Sequence, residues 1–376
     1  MSARHLSNDI TSYGGDAAIV ATRAEIDRVM AELGGIAGWL RSQVDLEDFL
    51  VETIPRIRLA LELPLILEKL EHIRNACATA ADSYFGQEAE ISRELRENLE
   101  LPIKNIATGF AGGAAMLGLL TETPVTANFI SIENYVQPPK SIAELSRRLD
   151  GVGDIAKGWI RIEKFNEPAS PVNAATGQTQ VQQARYVVYI PGTQAWGPKT
   201  GSNPFDLTSD LSAIARPGFA GSEKALSMAL QKAGIGADSK VLFVGHSQGG
   251  LVAANISTRF AGSKVLTFGS PIGQLGSQIK AETMAIEHVG DLVPALDGKP
   301  NPALGNLVTV RQEIKADGPV GQHEMAGYRK TAEAIDGAAA SSQPNSGFAR
   351  LRQEISEFAG DTQGQALYFE LERVSK

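Results

Sequence analysis

A chain of 376 residues with 43% hydrophobic residues is long enough for one large domain and a smaller one, and its formal charge of -8, unopposed by any basic stripe, argues against nucleic-acid binding. Cys77 is the single cysteine, which excludes an intramolecular disulfide and thiolate metal clusters. The five histidines (His5, His72, His246, His288, His323) lack metal-type spacing, so no metal site is expected.

Met1 to Thr11 is polar and has no apolar h-region, so no general secretory signal is read there. From Ala17 to Val44, apolar residues (Ile19, Ile26, Val29 or Met30, Leu33, Ile36, Leu40, Val44) recur three and four apart for most of the run, the spacing of a helical seam. A second seam runs through Ile66, Leu70, Ile73, Cys77, Ala80 and Tyr84, and two such stripes bury each other. Residues 1–100 are therefore expected to form an antiparallel helical hairpin, with residues 101–376 as a second domain. Cys77 lies on the seam and reads as a small buried hydrophobe. The hairpin followed by Tyr84-Phe85-Gly86-Gln87-Glu88 resembles the export signal of type VII secretion substrates of actinobacteria, whose hairpins are WXG100-like. That resemblance implies export by a type VII-like route, or a protein partner held by the hairpin; the alternative location is the cytoplasm.

The most apolar window, Ile106 to Leu120, is about fifteen residues long, short of the roughly twenty that cross a bilayer. No transmembrane helix is expected. Ser141-Ile142-Ala143-Glu144 has the form of a capped helix start. Strands are read from Gly158 onward. Trp159 to Phe165 alternates apolar and charged residues, as a strand with one exposed face does. Tyr186 to Ile190 reads as a strand buried on both faces, and it ends in Pro191-Gly192-Thr193. The stretch 195–221 is long and without clear elements, a candidate lid. A helix from Ser222 to Ala233, stopped by Gly234, then leads to Lys240 to Val244, an apolar strand.

The strand runs into Gly245-His246-Ser247-Gln248-Gly249-Gly250, and Leu251 to Ile256 reads as a helix. In a chain with 38 glycines the bare Gly-x-Ser-x-Gly pattern is a weak signal. Strand before and helix after make it a nucleophile elbow, in which Gly245 and Gly249 let the two elements approach and Ser247 projects its hydroxyl. The Gln248 amide at the helix start points at an oxyanion forming there, and Thr193 and Gln194, one strand earlier, are the other candidate donors. A serine hydroxyl needs an imidazole to take its proton and a carboxylate to hold that imidazole. His246 lies within the elbow with its side chain directed away from the hydroxyl, and His288 precedes the obvious acid. His323, in the segment Gly318 to Met325 read as a loop, follows in the order Ser, acid, His. Asp291, where a strand opens into a loop, is the expected acid, with Asp297 as runner-up.

Gly245 to Gly250, Thr267-Phe268-Gly269-Ser270-Pro271, Gly290-Asp291-Leu292-Val293-Pro294 and the trailing His323 together resemble the class 3 (fungal-type) lipases of the α/β-hydrolase superfamily, over about Tyr186 to Tyr328. The resemblance implies an α/β fold with a mostly parallel sheet covered on both faces, Ser247 as nucleophile, Asp291 as orienting acid and His323 as general base, with Thr193 on the oxyanion hole. It implies a serine hydrolase of the esterase or lipase type, using no cofactor, with a small-molecule or lipid ester as substrate. An acyltransferase or thioesterase would use the same residues. A non-catalytic interaction protein, acting through the hairpin, is the reading from a different class. Neither a Walker P-loop nor Gly-x-Gly-x-x-Gly occurs, so no nucleotide cofactor is expected. Toward the end, Phe348 to Ala359 reads as an amphipathic helix, and 366–373 as a C-terminal edge strand with charges on its open side.

Overall fold

The computed structural model describes residues 4–7, 10–14, 31, 35, 123–166, 184–194, 201–206, 209, 213, 218, 220–295, 300–316, 318–338 and 346–374. Two compact units divide the chain, residues 1–2 with 19–101 and residues 3–18 with 102–376. The two helical seams, Cys77, Tyr84 and Glu88 lie outside the described residues, as does the apolar window 106–120. Among the described residues no helix is long and apolar enough to cross a membrane.

In chain order the second unit contains β1 (Arg4–Ser7), β2 (Ile10–Gly14), β3 (Val125–Val136), α1 (Ile142–Ile155), β4 (Trp159–Asn166), β5 (Ala184–Ile190), α2 (Gly221–Lys232), β6 (Lys240–His246), α3 (Gln248–Ser257), β7 (Lys264–Phe268), β8 (Glu282–Val289), β9 (Leu307–Glu313), α4 (Gly318–His323), α5 (Met325–Ala338), α6 (Gly347–Ser356) and β10 (Gly364–Arg373). The ten strands form one mixed sheet in the order β1-β2-β9-β8-β7-β6-β5-β4-β10-β3. Its centre, β5 to β9, is parallel throughout, and the flanking strands are antiparallel. The unit is thus an α/β structure.

The two-residue period of β6 sorts the layers. Val241 and Phe243 point into a core shared with α2 and α3, whereas Leu242 and Val244 point into the opposite core with α1, α5 and α6. All four are fully buried, as a central parallel strand covered on both faces requires. Ser141 caps α1 as its sequence signals, its hydroxyl accepting from the Glu144 amide at 3.0 Å.

Several expectations are corrected. Residues 3–18 belong to the sheet-bearing unit, because β2 pairs with β9 from Ile10↔Gln312 to Gly14↔Val308. Strands therefore begin well before Gly158, and β3 is one more of them. The terminal strand is no edge: β10 lies between β4 and β3, and β3 forms that edge. The charges of β10 are held by neighbours, Arg373 reaching Asp206 at 2.5 Å with both side chains buried. Nor does β4 have an open face. Glu163 is fully buried under α1, with Arg148 Nη1 2.8 Å from each carboxylate oxygen, Arg161 Nε at 2.8 Å and the Tyr189 hydroxyl at 3.0 Å. Four charge-assisted bonds make an acidic residue tolerable where alternation alone predicts solvent.

Candidate active site

β6 ends in the middle of the sheet, with Gly245 opposite Ile190 of β5 and Thr267 of β7. The next residue but one, Ser247, has φ 53° and ψ -125°, and α3 starts at Gln248. A non-glycine residue at positive φ, outside the left-handed helical well, stores strain of about 1–3 kcal/mol. The glycines around it are dictated by contact. A Cβ on Gly249 would stand 2.1 Å from the Ile190 carbonyl oxygen, and one on Gly245 would stand 2.4 Å from the Gly249 backbone. Neither obstacle is a movable side chain, so only glycine at 245 lets α3 close on β6, and only glycine at 249 lets it close on the end of β5.

The turn after β5 abuts the elbow: a Cβ on Gly192 would meet the Ser247 Cβ at 3.0 Å. Thr193 follows directly. Gln194 is committed elsewhere, since its amide donates to the Phe205 carbonyl at 2.9 Å and its side-chain oxygen accepts from the Gly158 amide at 2.7 Å and the Asn203 side chain at 2.8 Å. Its amide is therefore not a spare donor; Thr193, which also makes an interaction of its own, and Gln248 are the other oxyanion candidates. As the first residue of α3, Gln248 has no intrahelical acceptor for its N–H. The Gln248 side chain donates to the Asp206 carbonyl at 3.3 Å. Of the stretch 195–221, those described include Phe205, fully buried in the core; Trp196 to Thr200 lie outside the described residues.

Asp291 and His323 are brought together. His323 Nδ1–H donates to Asp291 Oδ2 at 2.8 Å, which fixes the tautomer and leaves Nε2 as the acceptor. That Nε2 is buried and has no partner among the described residues. Asp291 is itself held: Oδ1 accepts the Val293 amide at 2.9 Å, and Oδ2 also accepts the Tyr328 hydroxyl at 2.6 Å. Asp297 lies outside the described residues. The segment carrying His323 is a helix, α4, where Gly318-Pro319 and Gly321 suggested a loop; His323 is its last residue. Proline suits a first helical turn, so the apparent turn signal marked a helix start.

His246 and His288 hold this helix end. The period of β6 puts His246 on the α5 side, and that of β8 does the same for His288 after Met284 and Ile286. The last carbonyls of a helix have no intrahelical donor, and here His246 Nε2–H donates to the His323 carbonyl at 3.0 Å while His288 Nδ1–H donates to that of Gln322 at 2.6 Å. The His246 ring also stacks on the His323 ring, centroids 4.6 Å apart. Burial, with His323 close by, pushes His246 down to about 3, so its ring is neutral beside that of His323. Burial likewise lowers His288.

Tyr328 was not singled out by sequence, nor were His246 and His288 as supports. The last two carried a signal, histidines ending parallel strands on one face; Tyr328 carried none.

No protein-family model matches this chain, and neither a curated protein nor a solved structure does.

Proposed function

We propose that this protein is a serine hydrolase of the α/β-hydrolase type, cleaving a carboxylic ester through an acyl-enzyme with Ser247, His323 and Asp291. The observation that carries the reading is the His323 imidazole, bonded through Nδ1 to a buried carboxylate while Nε2 stays buried and unpaired. A purely structural histidine would be expected to satisfy both nitrogens, as His288 does through Gln322 and Thr331. In a catalytic triad that second nitrogen meets the serine hydroxyl; here no Ser247–His323 hydrogen bond is formed, and among the described residues Nε2 is left without a competing partner for the Ser247 proton. The strained backbone of Ser247, adjacent to the residue that stacks on that imidazole, supports it.

In this mechanism the Ser247 Oγ attacks the ester carbonyl carbon as its proton passes to His323 Nε2. The resulting oxyanion lies toward the Gln248 amide at the α3 N-terminus and toward Thr193, and His323 returns the proton to the departing alkoxide. Water, deprotonated by the same Nε2, then attacks the acyl-enzyme and releases acid and free serine. Asp291 keeps Nδ1 protonated and stabilises the transient imidazolium. The resemblance to class 3 lipases belongs to this reading.

The test is labelling with a fluorophosphonate probe and turnover of short p-nitrophenyl esters, with Ser247→Ala as control. Wild-type protein is expected to label and turn over, and the variant to do neither. Folded wild-type protein that takes no label overturns the proposal.

A further inference from the structure

Tyr328 stands in the first turn of α5, fully buried, and its ring is enclosed on several sides. It lies flat on His288, with centroids 3.8 Å apart and planes 7° apart, and meets Phe268 edge-on at 6.0 Å and His246 at 5.9 Å. The packing leaves the ring no room to swing, so the hydroxyl position is set by the core. That hydroxyl donates to Asp291 Oδ2 at 2.6 Å, the oxygen that also takes the His323 proton, and accepts the His288 amide at 3.3 Å.

Gly269 makes the arrangement fit. It has φ 56°, and a Cβ on it would stand 2.8 Å from both Asp291 Oδ2 and the Tyr328 hydroxyl. Two donors on Oδ2 and one on Oδ1 prevent the carboxylate from rotating; without the phenol, Oδ2 would rest on His323 alone.

We propose that Tyr328 is a positioning residue of this site, its phenol fixing the Asp291 carboxylate so that Oδ2 faces His323 and sharing the charge that the imidazole feels. The proposal rests on the serine-hydrolase reading for its kinetic consequences only. The titratable groups facing the phenol are Asp291 after β8, His288 and Glu287 on β8 and His246 on β6; those facing His323 are Asp291, His246 and His288. Burial and the adjacent carboxylate raise the phenol well above its ordinary range, so it remains a donor at every working pH.

Tyr328→Phe keeps the ring and its stacking and removes only the hydroxyl. A hydrogen bond to a charged group is worth enough to expect about a ten- to hundredfold fall in kcat at unchanged KM. The sign of the pH effect follows from charge: with one donor gone, Oδ2 carries more negative charge, the imidazolium is better stabilised, and the acidic limb of the rate profile moves to higher pH. The same upward shift is expected for the His323 resonance in a titration of the full-length, 15N-histidine-labelled protein without substrate.

A variant with unchanged kcat and an unmoved limb overturns the proposal, as does a rate loss that only tracks a smaller folded fraction, measured by urea unfolding. If folded wild-type protein takes no fluorophosphonate label, the hydrolase reading fails. The imidazole titration then still decides the phenol's role, and identical His323 titration in both proteins refutes it.

Discussion

Replacing Gly269 by alanine tests how tightly the acid is confined. The added Cβ meets Asp291 Oδ2 and the Tyr328 hydroxyl at 2.8 Å, against about 3.4 Å for ordinary contact, so each oxygen must retreat by about 0.6 Å. Neither is free to do so, since they are bonded to each other at 2.6 Å and Oδ2 holds His323 at 2.8 Å. The left-handed backbone adds about 1–2 kcal/mol and the overpacking about 1–3 kcal/mol, a loss of about 2–5 kcal/mol in urea unfolding. If the proposed function holds, a 1 Å misplacement of its catalytic groups costs about a hundredfold, so this smaller one should lower ester turnover by about ten- to hundredfold. Gly262→Ala is the control, because Gly262 also has positive φ (70°) but nothing lies within 4 Å of an added Cβ. It should lose about 1–2 kcal/mol and no turnover. A Gly269→Ala protein indistinguishable from Gly262→Ala in both stability and turnover would refute the steric reasoning.

Arg373 and Asp206 form a buried pair that ties the last strand to the 203–209 stretch, through Asn203, Asp206 and Ser209. Arg373→Met strands the carboxylate, and urea unfolding should show a loss of about 3–5 kcal/mol; a loss under about 1 kcal/mol would mean that Asp206 finds water. The depression of His246 to about 3 makes stability pH-dependent with a definite sign. Above its ordinary value of about 6.5 the ring is neutral in both states and contributes nothing. As pH falls from there toward 3 only the unfolded chain takes the proton, so stability declines by at most about 1.4 kcal/mol per pH unit. His246→Gln should flatten that slope in urea unfolding at pH 4 to 7, and an equally steep slope would contradict the assignment.

What the sequence made legible was local. Val241 to Gly250 announces strand, turn and helix within ten residues, and every contact that forces the elbow glycines involves chain nearby in the sheet. The pairing of Asp291 with His323 could be reached from residue order because few histidines compete. Partners distant in sequence could not be read. The position of β10 between β4 and β3 depends on which strand occupies the edge, and the burial of Glu163 depends on Arg148 from a helix laid over it. Tyr328 was silent for the same reason: a tyrosine in an amphipathic helix looks like packing until its hydroxyl is found against a carboxylate 37 residues away.

The pairing of β2 with β9 governs how the two units can be separated in the laboratory. Because residues 3–18 and 102–376 make up a single unit, the stretch 19–101 interrupts it as an insertion within its chain. A fragment begun at residue 102 would strip β9 of its neighbour and leave the backbone of Leu307 to Glu313 as a fresh sticky border, inviting aggregation. Excision by internal deletion, joining residue 18 to residue 102 through a flexible linker, is the cut that respects the sheet.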